Sequence, residues 1–224
     1  MTEPLIVSGE RPENILAVAR LLREGGIAVI PTDTVYGLAG VVFEPAAVDR
    51  IYAAKRRQPE ARVPVLIATA ADLSMLVKEV PAIAWALIDA FWPGPLTLVL
   101  PAKKTAPYAI TRGGGTVAVR VPANRACLQL LQVLGQPVVG TSANLSGEPP
   151  ATTAAGAVEQ LGAAVDAVLV DDTPPAGLAS TVVEVSEGAP IIHRIGALSV
   201  EHIRQVLGVA IAVREHLTTA SKER

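Results

Sequence analysis

A chain of 224 residues, half of them apolar and 18% charged, holds enough apolar material for one large domain with a substantial core and is too weakly charged to be disordered. A net charge of −2 and an aromatic content of 3% argue against a broad nucleic-acid surface, which needs concentrated cations or stacking platforms, though they leave room for a local basic patch. The single cysteine, Cys127, excludes an internal disulfide and a cysteine-rich metal site and fits a reducing, cytoplasmic setting; the N-terminus MTEPLIVSGERPE shows no signal peptide, and no run approaches the roughly 18 apolar residues of a membrane span.

In chain order, Pro12 suits a first helical turn, and Ile15, Leu16, Ala19 and Leu22 follow at helical spacing until Gly25-Gly26 end the run. Residues 27–30 then read as a buried strand, 45–56 as a helix, and 64–68 as a strand behind a polar, Pro-containing loop. Residues 70–77 and 81–91 read as helices. The sequence Trp92-Pro93-Gly94-Pro95 forces a turn, because no helix continues through two prolines flanking a glycine, and 96–100 form the strand behind it.

The second half repeats this grammar. A strand over 116–121 leads to a helix over 124–134, with Asn124 as its cap and Gly135 as its stop, and then to a strand over 137–139. A helix over 153–161 and a strand over 167–170 follow, and 181–185 with 190–194 read as a hairpin through Ser186-Glu187-Gly188. Helices between strands imply parallel pairing and the hairpin implies antiparallel pairing, so the expected fold is α/β (α+β) around a mixed sheet. No linker or repeat divides the chain. Residues 1–208 are expected as one domain, and 209–224 as a docked or frayed tail ending in SKER.

Several site signatures are missing. Gly113-Gly114-Gly115 lacks the lysine of a phosphate-binding loop, no HExxH occurs, and His193, His202 and His216 are scattered and read as structural or solvated. Ser142 misses a hydrolase nucleophile elbow, since Asn144 stands where glycine belongs. What remains are polar clusters at the ends of apolar strands, where α/β proteins build their sites. Residues 31–38 (PTDTVYGL) are one, with a capped turn closed by Asp33 or Thr34 as the structural alternative. Lys55-Arg56-Arg57 sits at a helix end, where cations also simply complement the dipole. Thr116 to Arg120, Gly140 to Pro149 (GTSANLSGEP), Ser180-Thr181 and Arg194 complete the set. Such an inventory, rich in Arg, Lys, hydroxyls and backbone N–H but poor in bases, suits anion positioning in phosphoryl or nucleotidyl transfer, with Mg2+ carried by the nucleotide.

Residues 31–38 (PTDTVYGL), Lys55-Arg56-Arg57, 92–97 (WPGPLT), 117–122 (VAVRVP), 141–147 (TSANLSG), 180–183 (STVV) and 194–196 (RIG) together resemble the ordered motifs of the YrdC/Sua5 family of threonylcarbamoyl-AMP synthases, over about residues 10 to 207. The resemblance implies a twisted, mixed sheet flanked by helices around a basic concavity. It also implies an enzyme that joins L-threonine, bicarbonate or CO2, and ATP into threonylcarbamoyl-adenylate and pyrophosphate, for modification of adenosine 37 in tRNA. By motif position, Thr34, Arg120, Ser142 and Ser180 are expected to hold threonine, and Lys55, Arg57, Thr116, Asn144, Thr152 and Arg194 to hold ATP. Catalysis would rest on positioning, without a resident metal. The implied partners are the downstream threonylcarbamoyl-transfer proteins, with tRNA contact not required and no membrane.

Two departures from the family pattern stand out. Many relatives read Arg-Pro-x-x-Asn-Pro-Leu where this chain has Arg57-Gln58-Pro59-Glu60-Ala61-Arg62-Val63-Pro64-Val65, so the ATP-binding cation could be Arg56, Arg57 or Arg62. The chain also resembles the single-domain form rather than the longer members. The rival expectations are an RNA-binding module of the same fold and a paralogue acting on another carbamoyl or adenylate substrate, as in hydrogenase maturation.

Overall fold

The computed structural model describes residues 3–186, 188–208 and 211–214. Its strands are β1 (Leu5–Ser8), β2 (Ala28–Ile30), β3 (Gly37–Val41), β4 (Val65–Leu66), β5 (Leu96–Pro101), β6 (Thr116–Arg120), β7 (Val138–Ser142), β8 (Ala167–Val170), β9 (Thr181–Glu184), β10 (Ile191–Arg194) and β11 (Ala212–Val213). They form one 11-stranded sheet in the order β1-β8-β2-β3-β7-β4-β6-β5-β9-β10-β11. Pairing is mixed: β2/β3, β3/β7, β4/β7, β5/β6 and β9/β10 are antiparallel, whereas β1/β8, β2/β8, β4/β6, β5/β9 and β10/β11 are parallel.

The helices are α1 (Pro12–Arg23), α2 (Pro45–Ala54), α3 (Ala82–Phe91), α4 (Tyr108–Thr111), α5 (Arg125–Leu134), α6 (Ala154–Leu161) and α7 (Val200–Leu207). The amphipathic face of α1 buries Ile15, Val18, Ala19 and Leu22 and leaves Leu16 exposed. In α5, the Asn124 side chain accepts from the Cys127 N–H at 2.9 Å, and Gly135 ends the helix at φ 68, a left-handed conformation open to glycine at no steric cost. These two helices pack on the sheet through one apolar cluster that takes in Ala28, Ile30, Ala39, Val41, Leu66, Val138, Ala167 and Leu169. A second, larger cluster fills the other face and includes Leu96, Leu98, Leu100, Val117, Val119, Val183 and Ile192.

Strand alternation decides where the cavity lies. Residues of the same parity face the same side of a strand, so Gly140 and Ser142 share the face of Val138, and Gly37 that of Ala39 and Val41. The α1–α5 layer contacts β8 and β3 at one end of the sheet. Farther along that face, Thr97 and Val99, Thr116, Ala118 and Arg120, and Val182 and Glu184 line an open cavity of about 580 Å³.

Several local expectations change. β3 is unannounced: it is buried along its whole length, so Gly-Leu-Ala-Gly-Val shows no polar alternation. Residues 31–36 therefore lead into a strand and not into a helix. The edge strand β1 and the short helix α4 are also unannounced. Residues 70–75 form a 3-10 turn with a Thr69–Asp72 capping box instead of an α-helix, and the expected strand over 64–68 shortens to Val65–Leu66. α2 ends at Ala54, since Arg56 takes a left-handed φ of 49 that no helix continues through. β7 extends to Ser142, so the first part of the Gly140–Pro149 segment is strand. Of the tail, residues 211–214 place the buried Ile211 and β11 beside β10; His216 and the terminal SKER lie outside the described residues.

Candidate functional site

At one end of the cavity, Arg120 closes β6 among groups distant in sequence. Its Nε donates to the Gly94 carbonyl (2.8 Å), Nη1 to Thr34 Oγ1 (2.8 Å) and Nη2 to Asp33 Oδ1 (2.5 Å). The Trp92–Pro95 turn presents that carbonyl: Trp92 Nε1 donates to Leu96 O and Gly94 N–H to Val121 O. Asp33 also accepts from the Ala123 N–H, so it orients Arg120 rather than capping a helix. A guanidinium has five N–H donors, so this arrangement leaves one on each terminal nitrogen, enough for a bidentate carboxylate. Thr34 and Ser180 are buried in the adjoining wall. Ser180 Oγ lies 2.8 Å from Thr97 Oγ1 and accepts from Arg194 Nη2 at 3.1 Å, while the Ser180 carbonyl accepts from Arg194 Nε.

The opposite end is made by the loop after α2. Arg57 and Arg62 both line the cavity beside Thr116; Arg56 is not among the lining residues. Arg62 Nη1 donates to Thr116 Oγ1 at 2.9 Å, and Arg57 Nη2 to the Arg62 carbonyl at 2.9 Å. Arg57 Nε is buried with no acceptor, a costly state for a charged donor unless a ligand satisfies it.

Thr34, Arg120, Ser142 and Ser180, together with Arg57, Thr116 and Arg194, thus share one cavity. Lys55, Asn144 and Thr152, expected at the nucleotide, are not among its lining residues. The Lys55 ammonium spends its three hydrogens on Ser142 O, Asn144 O and Asn144 Oδ1. Burial, helped by the Arg57 charge, pulls its pKa down to about 8. The Asn144 amide in turn donates to Leu145 O and Glu148 O. These two residues therefore staple the loop that presents Ser142, with no donor left over for a phosphate. Thr152 is exposed on the loop before α6.

Two further groups belong to the wall: His193, which the sequence reading set aside, and Glu184, which it did not single out. Glu184 Oε2 lies 2.5 Å from His193 Nε2, and Ser186 Oγ donates to Glu184 Oε1 at 2.6 Å. Burial pushes the Glu184 carboxyl up, but these hydrogen bonds and the Arg214 charge outweigh it and hold the group below its ordinary value. Only the β9–β10 pairing brings His193 to Glu184. The hairpin was a signal, but its faces were not legible, because the register shifts between Ile192 and Arg194. Cys127, by contrast, is fully buried in α5 with its thiol pushed up to about 12 by burial, which makes it inert.

The Sua5/YciO/YrdC family model, described as "Telomere recombination", matches residues 20–196. The chain belongs to the Sua5/YciO/YrdC family. A Pyrococcus abyssi relative named threonylcarbamoyl-AMP synthase is 39% identical over 194 residues, which are 87% of this chain and 57% of that protein. A Mycobacterium leprae relative is 39% identical over 204 residues, 91% of this chain and 92% of its own length. The crystal structure of P. abyssi Sua5 complexed with L-threonine superposes with a TM-score of 0.88 at 38% identity, covering 94% of this chain and 62% of that one. The mixed sheet with flanking helices is thus the Sua5-type fold, and the chain spans less than two thirds of the Pyrococcus protein. Among the described residues, no helix is long and apolar enough to cross a membrane, and no group of three or more His, Cys, Asp or Glu could hold a metal ion.

Proposed function

We propose that this chain condenses L-threonine, bicarbonate or CO2, and ATP into L-threonylcarbamoyl-adenylate and pyrophosphate, supplying the adenylate to the proteins that modify tRNA. One observation carries this reading: a single cavity joins an anion fork with buried hydroxyls (Arg120, Thr34, Ser180), and the Arg194 tied to Ser180, to a second group of cations (Arg57, Arg62). The relative solved with L-threonine shares this fold.

Threonine's carboxylate takes the free N–H groups of Arg120, and Thr34, Ser142 and Ser180 surround its polar atoms. Its unprotonated amine captures CO2 to form a carbamate and gives up a proton to solvent, and a carbamate oxygen attacks the α-phosphorus of ATP while pyrophosphate leaves in line. Arg57 and Arg62, which line the cavity beside Thr116, hold the polyphosphate. Arg194, tied to Ser180, stands between the two substrates and offsets charge that develops on phosphorus. A magnesium ion carried with the nucleotide would supply further neutralisation of phosphate charge beside Arg57 and Arg62.

Incubation with ATP, Mg2+, bicarbonate and threonine, with pyrophosphate and the adenylate measured, tests the assignment. Release of pyrophosphate should require threonine; release that persists without it removes threonine as the substrate. Tight, salt-steep RNA binding without ATP consumption would instead favour an RNA-binding module.

A further inference from the structure

The glycine run 113–115 has no role in the reading so far, yet its middle residue lies against the cation end of the cavity. A Cβ on Gly114 would fall 2.0 Å from Arg62 Nη2 and 2.7 Å from Arg62 Cζ, whereas one on Gly115 would meet nothing within 4 Å. Gly113 has a positive φ of 75, which explains glycine there; Gly114 has no such conformation, so close approach and not backbone freedom requires its missing side chain. We propose that Gly114 is a positioning residue, the seat of the Arg62 guanidinium: the side chain it lacks is what lets Arg62 stand where the ATP reading above places it.

The surrounding contacts make the seat a built one. From β6, Thr116 Oγ1 accepts from Arg62 Nη1, which leaves the hydroxyl proton free for a phosphate oxygen. From α2, Tyr52 OH donates to the Ala61 carbonyl at 2.6 Å, and the Tyr52 carbonyl accepts from the Arg57 N–H at 2.9 Å. The Tyr52 ring lies 4.2 Å beneath the Arg112 guanidinium, whose Nε donates to the Tyr52 hydroxyl at 3.2 Å. The 57–62 loop is thereby clamped on one side to α2 and on the other to the turn carrying Gly114. Among the described residues, the non-glycine positions with positive φ are Arg56 (49) and Arg112 (47), one at each side of this clamp. Backbone strain of that kind persists where the surroundings over-determine it, and it gathers at ligand clamps. A planar fork held beside a free hydroxyl and the unpartnered Arg57 Nε matches the bidentate geometry of phosphate.

The inference rests on the ATP reading above, and the test separates the two. Calorimetric titration of the full chain with Mg2+ and α,β-methylene-ATP measures nucleotide affinity, and steady-state pyrophosphate release measures KM for each substrate. Gly114→Ala displaces the flexible end of Arg62 and crowds the Thr111 carbonyl, 3.2 Å from the added Cβ, so the melting temperature should fall slightly, while analogue binding weakens and KM for ATP rises about tenfold, the loss of one charge-assisted contact, with KM for threonine unchanged. Gly115→Ala should behave as wild type, and Gly114→Ala should add nothing in an Arg62→Ala background. Wild-type affinity in a folded Gly114→Ala protein, or an equal loss with Arg62 already removed, overturns the seat. Should Gly114→Ala not fold, Arg62→Ala alone decides: undiminished nucleotide affinity sinks the proposal. A wild-type chain that binds no nucleotide overturns the ATP reading itself, and this inference with it.

Discussion

The two ends of the cavity hold their cations in different ways. Arg120 stands on a strand, its side chain 7% exposed, already paired to Asp33, Thr34 and the Gly94 carbonyl before any ligand arrives. Arg57 and Arg62 stand on a loop, fastened through a carbonyl, a hydroxyl and a glycine seat, with a buried donor still unpaired. The first end is fixed in advance, because three hydrogen bonds to groups on other elements hold the guanidinium, which in the proposed reading suits a small ligand of fixed shape. The second is held by fewer contacts and on a loop, which in the proposed reading suits a flexible polyanion.

Removing Arg120 should have the largest effect. Arg120→Ala strands the largely buried Asp33 carboxylate and is expected to cost about 3–5 kcal/mol in denaturant unfolding, with threonine-dependent turnover lost. Stability equal to wild type would break the claim that this end is prebuilt. Lys55 tests the staple behind Ser142. Its folded-state pKa, about 8, lies below the ordinary 10.5, so between those values the unfolded chain holds more protons and stability should rise with pH, by on the order of 3 kcal/mol. Lys55→Met should flatten that slope, and an unchanged slope would assign it to other groups.

Arg194→Ala should raise KM for ATP about tenfold while KM for threonine moves less, as the loss of one charge-assisted contact predicts. Equal losses on both axes would erase the division between the two ends. The smallest effect is expected at Glu184. Its folded-state pKa is depressed, so its contribution is present above the unfolded value and is lost as pH falls through the folded one. Glu184→Gln should therefore reduce stability near neutrality by about 0.5–1 kcal/mol and little in acid, as for a modest ion pair. A loss of the same size at every pH would locate the effect in packing.

Legibility followed the range of the interaction responsible. The caps of α5, the stop at Gly135 and the β9–β10 hairpin depend on neighbours in sequence and could be read there. β3 could not, because its buried Gly-Leu-Ala-Gly-Val run lacks both alternation and the β-branched bulk that marks β2, and its boundaries come from pairing with β2 and β7. Thr34, Arg120, Ser142 and Ser180 were legible as polar residues at strand ends, and all of them reach the cavity. Lys55 and Asn144 were legible as polar but not in their placement: which acceptor an ammonium meets depends on the Ser142–Asn144 backbone, far along the chain. His193 was passed over because its partner lies across a register shift.

The order of motifs, the family, the helix–strand grammar and the shortage of bases were determined by the sequence alone, since each is a property of covalent order and local pattern. Tertiary structure decided which cations face the cavity and which hold the scaffold. Hydrogen bonds between Arg120 and Asp33, Lys55 and Ser142, and Arg194 and Ser180 exist only once strands and loops remote in sequence lie side by side. A buried donor takes the acceptor that folding places within reach, and no residue type announces which one that is.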